Sequence, residues 1–421
     1  MLLSKNAVTR LQAIVLIVII VVAAVIVGVG YYYLTRPTGE ESRSIKVGHF
    51  GPLTFDSGKN IRDGALLAVE QINAAGGVLG RNMTFIEADD QMSAETGISA
   101  VEKLVLTDKV DVVIGGYLSG IMAATLHVAE DNKVPWIGCS GGATVITDTI
   151  IQNNYKYCFM CNPGWENWAV AQAEAMVDLI KELNYTKIAV IYDELEWTSD
   201  IAAACIPLYE ENFDVVYYTR VDFLTEDFTI ELNICKERGA QIIDVVLAAA
   251  GPYFISQWYA MKIPALVAGM DVLAGSGAYW DETDGKCYSE CDVALGYMGP
   301  VTAKTVPYYE AFQARFGYIP YCDAAMGYDA VYMYKEALEI AGTTDPEAVV
   351  DALWQVEYVG INPPGIFSFD NKTHHLYVGP DRPLKVGITQ WQGPAPEGLK
   401  IIYPFDQPYT ADIVFPPWLQ G

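Results

Sequence analysis

From residue 45 onward the hydrophobic and polar positions change period in a regular way. Ile45 to Phe50 is a β-run closed by Gly51–Pro52. "IRDGALLAVEQINAAGG" then places Ala65, Leu66, Val69 and Ile72 at helical spacing, and Gly76–Gly77 stop the helix. Strand "MTFIEAD", helix "GISAVEKLVLTD", strand "VDVVIGG", helix "IMAATLHVAEDN" and strand "VPWIG" follow. "VDVVIGG" is apolar almost throughout, as a strand covered on both faces should be. Near Trp165 the alternation starts again, with a helix to about Leu183 and strand "KIAVIYD". It continues through helix "IAAACIPLYEEN", strand "VVYYTRV", helix "TIELNICKERG", strand "IIDVVLAAA", helix "YFISQWYAM" and strand "ALVAG". Helices return at 306–316, 324–341 and 346–354, "GIFSFDNKTHHLYVG" reads as a hairpin, and the chain after Leu399 reads as an irregular tail. This order predicts two α/β halves, each built on an open, mostly parallel sheet.

One segment stands apart from the alternation. Ala13 to Gly30 is eighteen residues without a charged or strongly polar side chain. At helical rise it spans roughly 27 Å, close to the hydrocarbon thickness of a bilayer. Lys5 and Arg10 precede it and Tyr31–Tyr33 follow, so residues 11–33 read as a transmembrane helix with residues 1–10 in the cytoplasm. A cleaved signal is the other reading, but the run is long and lacks an obvious small-x-small site. Residues 34–44 then form a polar tether, and everything beyond lies outside the cytoplasm.

The chain's 421 residues are 52% hydrophobic, enough for two separate cores. The net charge of −26 and the lack of a basic patch exclude nucleic acid as a partner. All eight cysteines follow the apolar segment, where disulfides persist. Cys287 and Cys291 flank an acidic loop and are the candidate bridge; Cys158 and Cys161 read as buried structural thiols, a redox pair or zinc ligands. No second Cys-x-x-Cys and no matching histidine pair supports zinc, and His374 and His375, as neighbours on a hairpin, point to opposite faces. No metal or other cofactor is expected.

In such sheets ligands bind outside the carboxyl ends of strands. Two loops there carry useful donors. "GGYLSG" (115–120) puts Ser119 at a helix N-cap position, in front of free N–H groups and a positive dipole end. "CSGGAT" (139–144) adds its glycines, Gly142 among them, the Ala143 N–H and the Thr144 hydroxyl one strand later. Taken singly, Ser119 only caps its helix; the convergence of the two loops makes a shared anion site. In the second half Trp197 is placed to cover an apolar or cationic group, and Asp271 to pair with an ammonium. A partly buried surface tryptophan and a solvated loop carboxylate are the plainer accounts of those two. The phosphate-binding, nucleophile-elbow and zinc-protease signatures are all missing, so an enzyme is not expected.

Several stretches together resemble the type I periplasmic binding proteins of ABC importers, the branched-chain amino-acid (Leu/Ile/Val) group in particular. "IKVGHFGPLTFDSGKNIRDGALLAVEQINAAGGVLGR" is similar to that family's first strand, binding loop, helix and Gly-Gly turn. "LVLTDKVDVVIGGYLSG" and "VPWIGCSGGAT" look like its carboxylate-binding loops, "KIAVIYDELEW" like the start of its second lobe, and "IIYPFDQPYTADIVFPPW" like its tail. The resemblance implies two doubly wound parallel-sheet lobes joined by a three-stranded hinge. Lobe 1 would be 45–163 with 299–355, lobe 2 would be 164–298 with 356–399, and 400–421 a C-terminal tail. It implies that Ser119, Ala143 and Thr144 hold an α-carboxylate, Trp197 stacks over the ligand and Asp271 takes its ammonium. Tyr253 and Phe55 become further contacts.

The resulting expectation is an extracytoplasmic, membrane-tethered solute-binding protein. It would capture an amino acid, amide or small organic acid and deliver it to an ABC permease and ATPase on separate chains. The alternative from another class is a ligand-sensing receptor ectodomain acting through a signalling partner.

Overall fold

In the computed structural model, which describes residues 43–320 and 322–420, the alternation becomes two parallel sheets. The first contains β1 (Ile45–Gly51), β2 (Met83–Asp89), β3 (Val112–Gly115), β4 (Trp136–Gly138) and β5 (Cys158–Met160) in the order β2-β1-β3-β4-β5. All its pairings are parallel. Helices α1 (Asp56–Ala74), α2 (Ala94–Glu102), α3 (Ser119–Asp131) and α4 (Thr144–Gln152) make the crossovers, and a π-helical turn at Lys103–Asp108 prolongs α2. The second sheet is introduced by α5 (Trp165–Glu182) and contains β6 (Lys187–Asp193), β7 (Asp214–Val221), β8 (Ile242–Leu247) and β9 (Leu266–Asp271). Its order is β7-β6-β8-β9, again all parallel, connected by α6 (Glu196–Asn212), α7 (Thr229–Arg238) and α8 (Gly251–Met261). In both sheets the chain reverses direction between the first and third strands of the unit, which opens a crevice at the carboxyl ends.

Smaller elements follow. They are α9 (Tyr279–Glu282), β10 (Cys291–Ala294), α10 (Thr305–Phe316), α11 (Cys322–Ala341), α12 (Pro346–Leu353), β11 (Tyr358–Val359), β12 (Ile366–Phe367), β13 (Gly387–Trp391) and β14 (Leu399–Tyr403). β10, β13 and β14 form an antiparallel sheet, so the tail expected to be irregular begins with a strand. Backbone contacts gather Ile45–Gly421 into one compact unit. The expected cytoplasmic residues 1–10, membrane span 11–33 and nearly all of the tether lie outside the described residues. Among the described residues no helix is long and apolar enough to cross a membrane.

Burial explains the strand sequences. All of β3, β8 and β9 is buried because helices cover both faces of each sheet. One buried cluster joins α1, α11, α5 and α6 to the sheet faces they cover, and two others fill the opposite faces under α2–α4 and α7–α8. α1 starts at Asp56, earlier than its apolar stripe suggests, and Leu66 is not part of its fully buried face. The helix is clasped between the sheet and α11, and small residues set that second contact. A Cβ on Gly64 would overlap the Ala324 carbonyl, and one on Gly327 would overlap the Ile61 carbonyl.

The chain passes between the two sheets three times: after β5, after β10 and before β13. Residues 358–376, expected with the second lobe, pack on the first sheet instead. Tyr358 Oη donates to Asp329 Oδ1 at 2.9 Å, the Phe369 ring lies 4.8 Å from Phe159, and His374 Nδ1 is 2.8 Å from the Cys158 carbonyl. The aromatic residues of this segment reach burial only against β5 and α11, which moves the last passage beyond 376.

Candidate functional site

The carboxyl ends of the strands meet around a cavity of about 200 Å³. From the first sheet's side Tyr117 and Ser119 (the β3–α3 loop), Ser140 (the β4–α4 loop) and Asp323 (the first turn of α11) face it. From the second come Trp197 at the start of α6, Asp271 ending β9 and Asp292 in β10. Trp165 and Trp168, one turn apart at the start of α5, stand where the chain first passes between the sheets. Trp165 stacks on Trp197 with centroids 5.2 Å apart and meets Trp168 at 5.0 Å, forming an aromatic wall. The indole Nε1 atoms of Trp165 and Trp168 are buried without a hydrogen-bond partner.

The acidic side is elaborate. Asp271 is 2% exposed; its Oδ2 accepts from Tyr279 Oη at 2.6 Å and its Oδ1 from the Leu273 N–H at 3.0 Å. A Cβ on Gly251 would overlap this carboxylate, so glycine at the start of α8 leaves the room it needs. Glu290 sits behind it, 3.3 Å from the same Tyr279 hydroxyl. Burial raises Asp271 from 3.8 to about 6, against the hydrogen bonds that lower it. Burial and the charge of Asp271 push Glu290 and Asp292 well above the usual carboxylate range. Across the cavity Asp323, 4% exposed, is raised by burial to about 6 and held down in part by hydroxyls of Ser140 and Ser57. Among the described residues the lining contains three aspartates and no lysine, arginine or histidine. Among the described residues no three His, Cys, Asp or Glu side chains are placed to hold a metal ion.

Of the eight residues singled out in the sequence, Ser119, Trp197 and Asp271 line this one cavity. Ser119 is not the N-cap of α3 but its first residue, after Leu118, and its Oγ accepts from the Ala143 N–H at 3.3 Å. Thr144 is otherwise engaged: its N–H and its Oγ1 both donate to Asp200 Oδ2 of α6, at 3.1 and 2.9 Å. A carboxylate therefore does occupy this helix N-terminus, but it belongs to the protein. Gly142 lies under Trp165, where a Cβ would come 3.0 Å from Nε1. Phe55 reaches the cavity only through Tyr117, whose ring is 5.3 Å away. Tyr253 is 48% exposed on α8 and does not line the cavity, because its helical position turns it to solvent while Phe254 takes the buried one.

The candidate bridge is absent. Cys287 and Cys291 are both buried and unbridged, as are Cys158 and Cys161. Cys287 packs in the cluster under α7 and α8, whereas Cys291 belongs to the central cluster and meets Gln390 Nε2 at 3.4 Å. Strand β10 turns the two thiols toward different cores. Sequence reasoning missed Trp165, Trp168, Asp292 and Asp323. The pair in "GWENW" was legible as two aromatics on one helix face; the aspartates carried no local signal.

The chain matches the family model described as periplasmic binding protein over residues 44–386. It is 27% identical to Leu/Ile/Val-binding protein homolog 3 of Brucella melitensis, over 73% of this chain and 82% of that one. Among solved structures it is similar to a branched-chain amino acid ABC transporter protein from Silicibacter pomeroyi. That likeness has a TM-score of 0.75 at 21% identity, over 89% of this chain and 100% of that one. The branched-chain amino acid substrate-binding protein of Streptococcus pneumoniae, solved with isoleucine, gives 0.71 at 21% identity, over 86% and 99%. The two structural likenesses establish the fold, and the family match extends through both sheets. The chain thus belongs to the periplasmic binding protein family, extracytoplasmic solute-binding proteins that are not enzymes.

Proposed function

We propose that the chain is the solute-binding component of an ABC import system, taking up an amino acid or a closely related small solute. The single observation that carries the reading is the cavity where two sets of strand ends meet, with Ser119, Trp197 and Asp271 on its wall. The role of each group follows from its chemistry. Ser119 and the Trp165 and Trp168 N–H groups supply donors, Trp197 a flat apolar cover, and Asp271 an acceptor for an ammonium. The three passages between the sheets act as a hinge, and closure traps the ligand. Only a ligand with higher affinity for the closed form drives that equilibrium. The closed form is the one presented to a permease, whose ATPase is on a separate chain. Relatives named for branched-chain amino acids support this solute class. Residues 11–33 would tether the protein to the membrane with its cavity outside.

A thermal-shift screen of the full chain against amino acids, their amides and short organic acids, followed by calorimetry of each hit, tests the reading. A concentration-dependent rise of the unfolding midpoint with one of them is expected. No shift with any would refute it.

A further inference from the structure

Resting on the solute-binding reading, the charge balance of the cavity narrows the solute. Asp271, Asp292 and Asp323 all line it, each at least nine-tenths buried, and among the described residues no basic side chain lines it. The strongest anion-binding donors nearby, the Thr144 N–H and hydroxyl, already hold Asp200. The Ala143 N–H is turned to Ser119. A zwitterion would bring its own carboxylate into a space whose charged side chains, Asp271 and Asp323, are already anionic. A second observation comes from the opposite wall. Trp168, 2% exposed, and Trp165, 9% exposed, line the cavity, and their buried indole N–H groups have no partner. Buried donors in this state call for an acceptor on the ligand, and a neutral one suffices. The stacked rings of Trp165 and Trp197 add a surface that suits a cation's face.

We infer that the cavity takes a small organic cation: an ammonium-bearing solute with a neutral hydrogen-bond acceptor, in preference to a zwitterionic amino acid. The ammonium lies between Asp271 and Asp323, and the acceptor meets the two indoles. The preference comes from desolvation. A buried carboxylate without a counter-charge is strongly unfavourable, and an ammonium relieves it only when the ligand brings no second anion.

Two pairs matched in size test this by calorimetry on the full chain at pH 7: L-leucine against L-leucinamide, and glycine betaine against choline. The expected result is that in at least one pair the cation binds ten-fold or more tightly than its zwitterion. Asp271→Asn should then reduce that ratio to near unity. If this variant does not fold, Asp323→Asn reads the same ratio from the other wall. A cation advantage below ten-fold, or a zwitterion advantage, in every pair that binds overturns the inference and leaves the solute-binding reading intact. Absence of binding by all four to the folded chain also overturns it. If the broader screen is empty as well, the solute-binding reading falls with it.

Discussion

Asp200→Ala removes a contact that ties α4, packed on the first sheet, to α6, packed on the second. The wild-type carboxylate accepts at 3.1 Å from the Thr144 N–H and at 2.9 Å from its hydroxyl. Thr144 opens α4, so its N–H has no carbonyl partner within the helix. Hydrogen bonds to a charged acceptor contribute roughly 1.5–3 kcal/mol each when well shielded. Both residues here are half-buried, so solvent screening reduces this to about 1 kcal/mol per bond. Together they amount to about 2 kcal/mol, or roughly a 30-fold change in an equilibrium constant. Amide hydrogen exchange over peptides spanning 142–150 reads this directly. The Thr144 amide should exchange some tens of times faster in Asp200→Ala. Asp200→Asn, which keeps an acceptor but loses the charge, should fall between. In the hinged chain proposed above, the same loss weakens binding of any screen hit by up to a similar factor. Exchange unchanged within three-fold would refute the reasoning, because the contact would then not hold the two layers together.

Gly327→Ala should lower the unfolding free energy by about 1–3 kcal/mol in denaturant titrations, since the added methyl overlaps the Ile61 carbonyl at the α1–α11 crossing. A midpoint identical to wild type would show that the crossing relaxes freely. The empty chain should melt at a higher temperature at pH 5.5 than at pH 8. Burial holds Asp244 and Asp329 at about 7, and Asp271 and Asp323 at about 6, against an ordinary 3.8. The folded chain thus binds these protons more tightly than the unfolded one, and stability is lost as pH rises through 6 to 7; the four aspartates outweigh buried His49 and His375, held at about 3 and 4, which act in the opposite sense. A midpoint that instead falls on acidification from pH 8 to 5.5 would contradict it. Finally, thiol titration in denaturant without reductant should count eight free thiols, the number in the chain. A count of six would restore a disulfide.

Much of the fold was readable because both kinds of element are self-declaring when covered on two sides. "MTFIEAD" and "KIAVIYD" coincide with β2 and β6 residue for residue, and the helix placed near 165–183 is α5. α4 and the three-residue β5 went unseen, since a short helix after a glycine-rich loop and a short strand have little periodicity to detect. Ser119, Trp197 and Asp271 were nameable because each ends or follows a strand. Asp292 and Asp323 were not, because they lie on elements far along the chain. Tyr253 and the Cys287–Cys291 bridge failed for one reason: proximity in sequence says nothing about the side of an element on which a side chain emerges.

The sequence by itself determined the alternation of strand and helix, the parallel sheets, the apolar segment at 13–30 and the surplus of acid, all of which are set by local pattern and composition. Only the tertiary structure decided that three aspartates share one cavity with no basic partner among the described residues, and that Asp200 already fills the donor site of Thr144. Those facts depend on which distant elements meet across the space between the sheets. No local period encodes that meeting; burial of both sheet faces around shared helices imposes it.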